Sequence, residues 1–123
     1  MRQTARSIVS TACSIAVMTA AFAFTPVTTA SAETALEKGK ALAFDRKLGN
    51  CLACHAMDDG QLAGNIGPPL ISMKLRFPDK AKLRAQIWDA TEKNPNSIMP
   101  PFGRHKMLSE EQIDLITDYV YSL

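Results

Sequence analysis

Two cysteines and a histidine lie within five consecutive positions of this 123-residue chain, in the run Cys51-Leu52-Ala53-Cys54-His55. Thiols at this spacing can form thioethers with the two vinyl groups on one edge of a porphyrin, and the next residue can then bind the iron. The motif predicts one covalently bound haem c, attached through Cys51 and Cys54, with His55 as the proximal iron ligand. Since the haem would supply much of the core of so small a protein, we expect the chain to wrap around it.

Three other interpretations of the same residues remain open at this point. A zinc site would add His105 to the motif, although structural zinc sites do not normally place a histidine directly after the second cysteine. A thioredoxin-like redox pair would need a strand-to-helix turn within a βαβ unit, and strand-like alternation is scarce here. A short-loop disulfide between the two cysteines would also suit an exported chain.

The first 32 residues have the features of a secretory signal peptide. Arg2 and Arg6 precede an apolar stretch of about ten residues, whereas a bilayer crossing needs roughly 20. The stretch is followed by Ala30-Ser31-Ala32, which fits the small-x-small pattern of a signal peptidase site. We therefore expect cleavage after Ala32, export to the periplasm and a cytochrome-like domain at 33–123 without a membrane span.

Removal of residues 1–32 also removes the basic surplus of the chain. Of 14 basic residues, Arg2 and Arg6 are lost, and the remaining 12 balance the 12 acidic residues. A nucleic-acid-binding protein should show a basic surplus, so that class is excluded, and a neutral domain has no charge-based affinity for anionic membranes. Cys13 is also lost, and because Ser10 stands where a lipoprotein signal has a leucine-like residue, we do not predict a lipid anchor. The remaining 91 residues allow one small domain.

The second axial ligand must come from elsewhere in the chain, and Met99 is the candidate. It lies 44 residues after His55, and the following Pro100-Pro101 prevents a helix and favours a rigid extended loop. A thioether opposite an imidazole raises the reduction potential and suits electron transfer. His105 is the alternative ligand. Met57 is too close to His55 to be the second ligand. Met73 and Met107 are interpreted as core residues, the usual role of methionine.

A Gly-Pro turn follows the haem motif by about a dozen residues, in Gly64-Asn65-Ile66-Gly67-Pro68-Pro69. An iron-bound histidine usually donates a hydrogen bond from its other ring nitrogen to a carbonyl or carboxylate, which fixes the ring orientation. We predict that the carbonyl of Pro68 accepts this bond from His55. An ordinary turn is the alternative.

The rest of the mature chain has the residue spacing of helices. We predict helices over Thr34–Lys47 and Pro78–Thr91, and a third that begins at the capping-box sequence Ser109-Glu110-Glu111-Gln112. Gly39 is unfavourable inside a helix, so we expect it to permit the close approach of another helix. The charged side chains of the second helix are interpreted as a solvated face: Lys80, Lys82, Arg84 and Asp89. The expected fold is all-α, with the first and last helices packed across each other.

With the haem motif, the Gly-Pro turn and the Met-Pro-Pro loop in this order, the chain resembles class I cytochrome c over essentially all of residues 33–123. Four less generic segments carry a closer resemblance: Arg76–Asp79, Ile87–Thr91, Ile98–His105 and Asp118–Leu123. On these segments the chain resembles the SoxX family, the small monohaem subunits of sulfur-oxidising SoxAX cytochromes. The resemblance implies the same haem attachment and iron ligation as the motifs above.

The SoxX resemblance also implies a function. A SoxA-like subunit would carry the reactive cysteine and couple thiosulfate to a cysteine of a SoxYZ-like carrier protein, as an L-cysteine S-thiosulfotransferase. This chain, which has no cysteine beyond the haem motif after residue 32, would have no catalytic residue and would pass electrons to a downstream acceptor. The alternative is a diffusible cytochrome shuttle, which often has a charged ring around its haem edge. A permanent subunit needs a larger apolar contact, for which Ile98, Phe102 and Met107 are candidates, although they could equally line the haem pocket.

Overall fold

The computed structural model describes residues 33–123, which form four α-helices and two short 3-10 turns and contain no β-strand. The predicted all-α class is therefore confirmed. The helices are α1 (Ala35–Phe44), α2 (Met73–Arg76), α3 (Lys80–Trp88) and α4 (Glu110–Ser122), and the 3-10 turns are Cys51–Ala53 and Ala90–Glu92. In this part of the chain no helix is long and apolar enough to cross a membrane. The predicted signal peptide, with Cys13, lies outside the described residues.

Capping boxes start both α1 and α4. The hydroxyl of Thr34 accepts a hydrogen bond from the Glu37 amide, and the Glu37 carboxylate accepts one from the Thr34 amide. Ser109 and Gln112 make the same exchange at α4, as the sequence predicts. These reciprocal bonds satisfy amides that have no partner in the first helical turn. Helix α1 ends at Phe44, earlier than predicted, because the chain becomes extended at the next residue.

Gly39 lies where the backbone of α1 packs directly against α4. A Cβ atom on Gly39 would overlap the carbonyl oxygen of Leu115 and lie 2.8 Å from Cβ of Tyr119, both in α4. Glycine lowers the intrinsic stability of α1, but it allows the backbones of α1 and α4 to come into contact. The predicted close approach of a second helix is confirmed, and that helix is α4.

We expect Gly39→Ala to destabilise the haem-loaded protein by about 2 kcal/mol. The overlap with the α4 backbone costs about 3 kcal/mol, and the better helix propensity of alanine returns about 1 kcal/mol. Denaturant unfolding measures the difference, with Lys38→Ala, at an exposed site of the same helix, as the control. A Gly39→Ala variant at least as stable as the wild type would show that the helices can separate without cost.

Helix α4 lies at the centre of the core. Its predicted apolar stripe is at most 4% exposed and consists of Ile113, Ile116, Tyr119 and Val120. Met73 of α2 is 1% exposed, which confirms its assignment to the core. The core assignment of Met107 is wrong, since its side chain is 49% exposed. Its neighbours Phe102 and Leu108 occupy the buried positions in that part of the chain instead.

The charged residues of α3 do more than face solvent. Nζ of Lys80 lies 2.6 Å from a carboxylate oxygen of Asp118, and Arg84 pairs with two carboxylates of α4. These pairs are partly exposed and align α3 with α4. The solvated-face interpretation is wrong for Asp89, whose side chain is only 1% exposed. Its carboxylate caps the 3-10 turn that follows α3 instead of facing solvent.

Candidate haem-binding site

The haem motif forms a tight turn that follows a left-handed residue. Asn50 has φ 47° and ψ 34°, a region that asparagine tolerates better than most residues. In the 3-10 turn that follows, the amides of Cys54 and His55 both donate to the carbonyl of Cys51, at 3.2 and 2.9 Å. Two thiols and an imidazole are thereby held on one short, hydrogen-bonded segment.

The structure gives no support to the three competing interpretations of the motif. Cys51 and Cys54 are half-buried, and both are free thiols. Burial raises the pKa of the Cys51 thiol to about 11, whereas redox-active Cys-x-x-Cys thiols have lowered pKa values. Within residues 33–123, no three His, Cys, Asp or Glu side chains are grouped so that they could hold a metal ion, and the zinc set with His105 is not assembled.

A glycine-containing segment lies directly along the haem motif. Three backbone hydrogen bonds of 2.8 Å join them, donated by Gly64, Gly67 and Leu70 to the carbonyls of Leu52, Cys54 and Ala56 respectively. A Cβ atom on Gly64 would overlap the carbonyl of Ala53, so glycine is what allows the two backbones to approach this closely. The segment after the motif is thus fixed in register with it.

This register brings Pro68 to His55. Nδ1 of His55 lies 2.7 Å from the carbonyl oxygen of Pro68. Because a carbonyl oxygen can only accept, Nδ1 carries the proton, and Nε2 of the neutral ring keeps a lone pair for a metal. A Cβ atom on Gly67 would overlap the imidazole, so Gly67 permits the contact. The histidine is held as metal-ligating histidines usually are, by a hydrogen bond from the nitrogen that does not bind the metal.

Met99 lies on the loop between the second 3-10 turn and α4. Its side chain is half-buried against the apolar core, and its amide donates to the hydroxyl oxygen of Ser97 at 3.3 Å. On the other side, the amide of Phe102 donates to the carbonyl of Pro100 at 2.9 Å, and the Phe102 side chain is buried. The thioether is therefore carried by a loop that is anchored on both sides. His105, the alternative ligand, is exposed.

The residues present fit a haem. Two free thiols and an adjacent imidazole are the groups that attach a c-type haem and bind its iron, and the thioether of Met99 is a suitable second ligand. Large aliphatic side chains in the segments that adjoin His55 and Met99 are 59–93% exposed, which is unusual for side chains of this size. These side chains are Leu62, Ile66, Ile71, Leu75 and Ile98. They are apolar surface that an apolar macrocycle could cover.

A charged cluster that no sequence motif predicted joins the loop after the haem motif to α1 and α4. Nζ of Lys40 lies 2.8 and 2.7 Å from carboxylate oxygens of Asp58 and Asp59, and the hydroxyl of Tyr119 donates to Asp58 at 3.3 Å. The hydrogen bond from Lys40 chiefly lowers the pKa of Asp58, and burial chiefly raises that of Tyr119 to about 12. The pair of adjacent aspartates shortly after the haem motif was the sequence feature that could have indicated this cluster.

An all-α fold with this donor set defines a small class I cytochrome c, an electron-transfer protein whose cofactor is haem. Residues 34–120 match the family described as cytochrome c oxidase, cbb3-type, subunit III. The chain belongs to that family.

Two relatives extend the comparison. A chain in the crystal structure of SoxXA from P. pantotrophus matches with a TM-score of 0.63 and 25% sequence identity, over 70% of this chain and 79% of that chain. This match confirms the predicted resemblance to SoxX. A protein of Aquifex aeolicus (strain VF5), described as an uncharacterized lipoprotein, is 37% identical over 76 residues, or 61% of this chain. The match spans 37% of that relative's length.

Proposed function

We propose that this chain is the electron-transfer subunit of an exported, thiosulfate-oxidising cytochrome complex of the SoxAX kind. The observation that carries the proposal is the structural match to a chain of SoxXA over 70% of this chain. The four sequence segments that resemble SoxX support it independently of the generic haem motif. The proposal includes removal of residues 1–32 after Ala32 and a periplasmic location.

In this proposal Cys51 and Cys54 would hold one haem covalently, and His55 and Met99 would bind its iron. The haem supplies a one-electron couple at the iron. Pro68 keeps His55 oriented, with the proton on Nδ1 and the lone pair on Nε2. As a ligand, the neutral thioether of Met99 would favour reduced iron and so raise the reduction potential.

The chain moves electrons and makes or breaks no substrate bond. Beyond the two thiols of the motif, the described residues contain no cysteine that could attack a sulfur compound. This agrees with the SoxX resemblance, which implies that the reactive cysteine belongs to a SoxA-like partner subunit acting on a SoxYZ-like carrier protein. Of the three candidates for an apolar partner contact, Ile98 and Met107 are 75% and 49% exposed, whereas Phe102 is buried and does not qualify.

Purification of the tagged full-length chain from the periplasm of its own host tests the proposal. We expect a second haem-staining polypeptide in equal amount, and reduction of the bound haem by thiosulfate when a carrier-protein thiol is present. N-terminal sequencing should begin at Glu33. The untagged host is the control. Isolation of a single small cytochrome that unrelated redox proteins reduce and reoxidise would contradict the subunit proposal and favour the diffusible shuttle.

A further inference from the structure

Two of the segments that resemble SoxX, Ile87–Thr91 and Ile98–His105, meet at the end of α3. The amide of Gly103 donates to the carbonyl of Trp88 at 3.0 Å. A Cβ atom on Gly103 would overlap the indole ring of Trp88. The indole therefore lies against the backbone of Gly103, in a contact that a larger residue at this position would block.

Asp89, the residue after Trp88, places a buried charge beside this contact. Its Oδ1 accepts hydrogen bonds from the amide and the hydroxyl of Thr91. Its Oδ2 has no hydrogen-bond partner within residues 33–123 and lies 2.9 Å from Nη1 of Arg104, whose side chain is 55% exposed. The hydroxyl of Thr91 chiefly lowers the pKa of Asp89, and the charge of Arg104 acts in the same direction. A carboxylate removed from water needs a nearby cation, and Arg104 provides it.

Arg104 lies five positions after Met99, and the chain between them has little conformational freedom. The two proline rings at Pro100-Pro101 fix φ. The Phe102 side chain is 6% exposed and is held in the core. Because few torsions in this segment are free, a fixed Arg104 restricts where the loop can place Met99.

We propose that the Asp89–Arg104 ion pair, together with the contact between Trp88 and Gly103, latches the Met99 loop to the end of α3 and so keeps the Met99 thioether on the iron. Asp89 and Arg104 are positioning residues that act through the loop. The inference rests on the proposed function, since it takes Met99 as the axial ligand. Loss of the latch increases the population in which Met99 has left the iron, and the apparent affinity for an external ligand rises in proportion.

Imidazole titration of the ferric, haem-loaded protein tests the latch. We expect Arg104→Gln and Asp89→Asn each to bind imidazole about tenfold more tightly than the wild type, with a weaker methionine-to-iron charge-transfer band. The double variant should differ little from either single variant, because both changes break the same pair. Arg104→Lys keeps the positive charge, so its affinity for imidazole should stay close to the weak affinity of the wild type.

Lys80→Gln is the matched control, since it removes a different ion pair of α3, to Asp118. We expect it to alter thermal stability without changing imidazole affinity. The double variant Asp89→Asn/Arg104→Gln breaks the ion pair without leaving an unpaired charge buried, so it should still fold. If this variant binds imidazole only as weakly as the wild type, the latch proposal is wrong. If Met99→Ala opens the iron in the same experiment, the proposed ligation still stands. If Met99→Ala binds imidazole as weakly as the wild type, Met99 is not the ligand, and both the ligation and the latch are wrong.

Discussion

Met99→Ala is expected to lower the reduction potential of the haem by on the order of a few hundred millivolts, because axial ligands set haem potentials over a range of about 0.8 V. The thioether favours reduced iron, and an alanine leaves that position to water or to an external ligand. The haem should stay covalently attached, since both thiols of the motif are intact. Potentiometric titration, followed by the absorption spectrum, measures the change.

Met107→Ala is the matched control for this prediction. It removes the same side chain eight positions away, from a site that is 49% exposed. Its reduction potential and spectrum should equal those of the wild type. An unchanged spectrum in Met99→Ala would instead assign the second axial position to His105 or to another methionine.

Replacement of both Cys51 and Cys54 by alanine is expected to abolish covalent haem attachment. After residue 32 the chain has no other thiol that could form a thioether. Acidified organic solvent should then extract all haem from the variant and none from the wild type. We also expect the unfolding free energy to fall, because the folded state loses a tightly held group. The expected loss is on the order of 4 kcal/mol, which is what a ligand contributes when its concentration is a thousand times its Kd. Each single variant should keep at most one thioether.

Cys13→Ala is the control for the cysteine variants. It makes the same chemical change within the predicted signal peptide, so the haem content and stability of the mature protein should not change. A double alanine variant that folds without haem and retains wild-type stability would contradict the expectation that haem supplies much of the core.

The contrast between Met99 and Met107 shows that a local sequence pattern does not predict which apolar side chain is buried. Both are methionines near a proline-rich loop, and the average behaviour of methionine placed Met107 in the core. Phe102 and Leu108 are buried there instead, at 6% and 4% exposure, and Met107 faces solvent. Which of several neighbouring apolar residues becomes buried depends on the surface that the rest of the chain presents, and no short window contains that information.

Asp89 gives the same lesson for a charged residue. A charged residue on a short helix is most often solvated, so the local pattern predicted a solvent-exposed Asp89. Its burial follows from Thr91, two positions later, and from Arg104, which arrives from a different loop. The hydrogen bonds with Thr91 could have been predicted from the local sequence, but the contact with Arg104 could not.

The features that could be predicted without a fold arise within a few consecutive residues. These are the haem motif, whose chemistry depends only on the spacing of Cys51, Cys54 and His55, and the capping box that begins α4. Only the folded chain shows that Gly39 meets Leu115, that Gly67 admits the His55 ring and that Asp58 is bound by Lys40 of α1 and Tyr119 of α4. The physical reason is the range of the interactions. Caps and motifs are local, whereas burial and close approach depend on residues that are distant in sequence and meet only when the chain is folded.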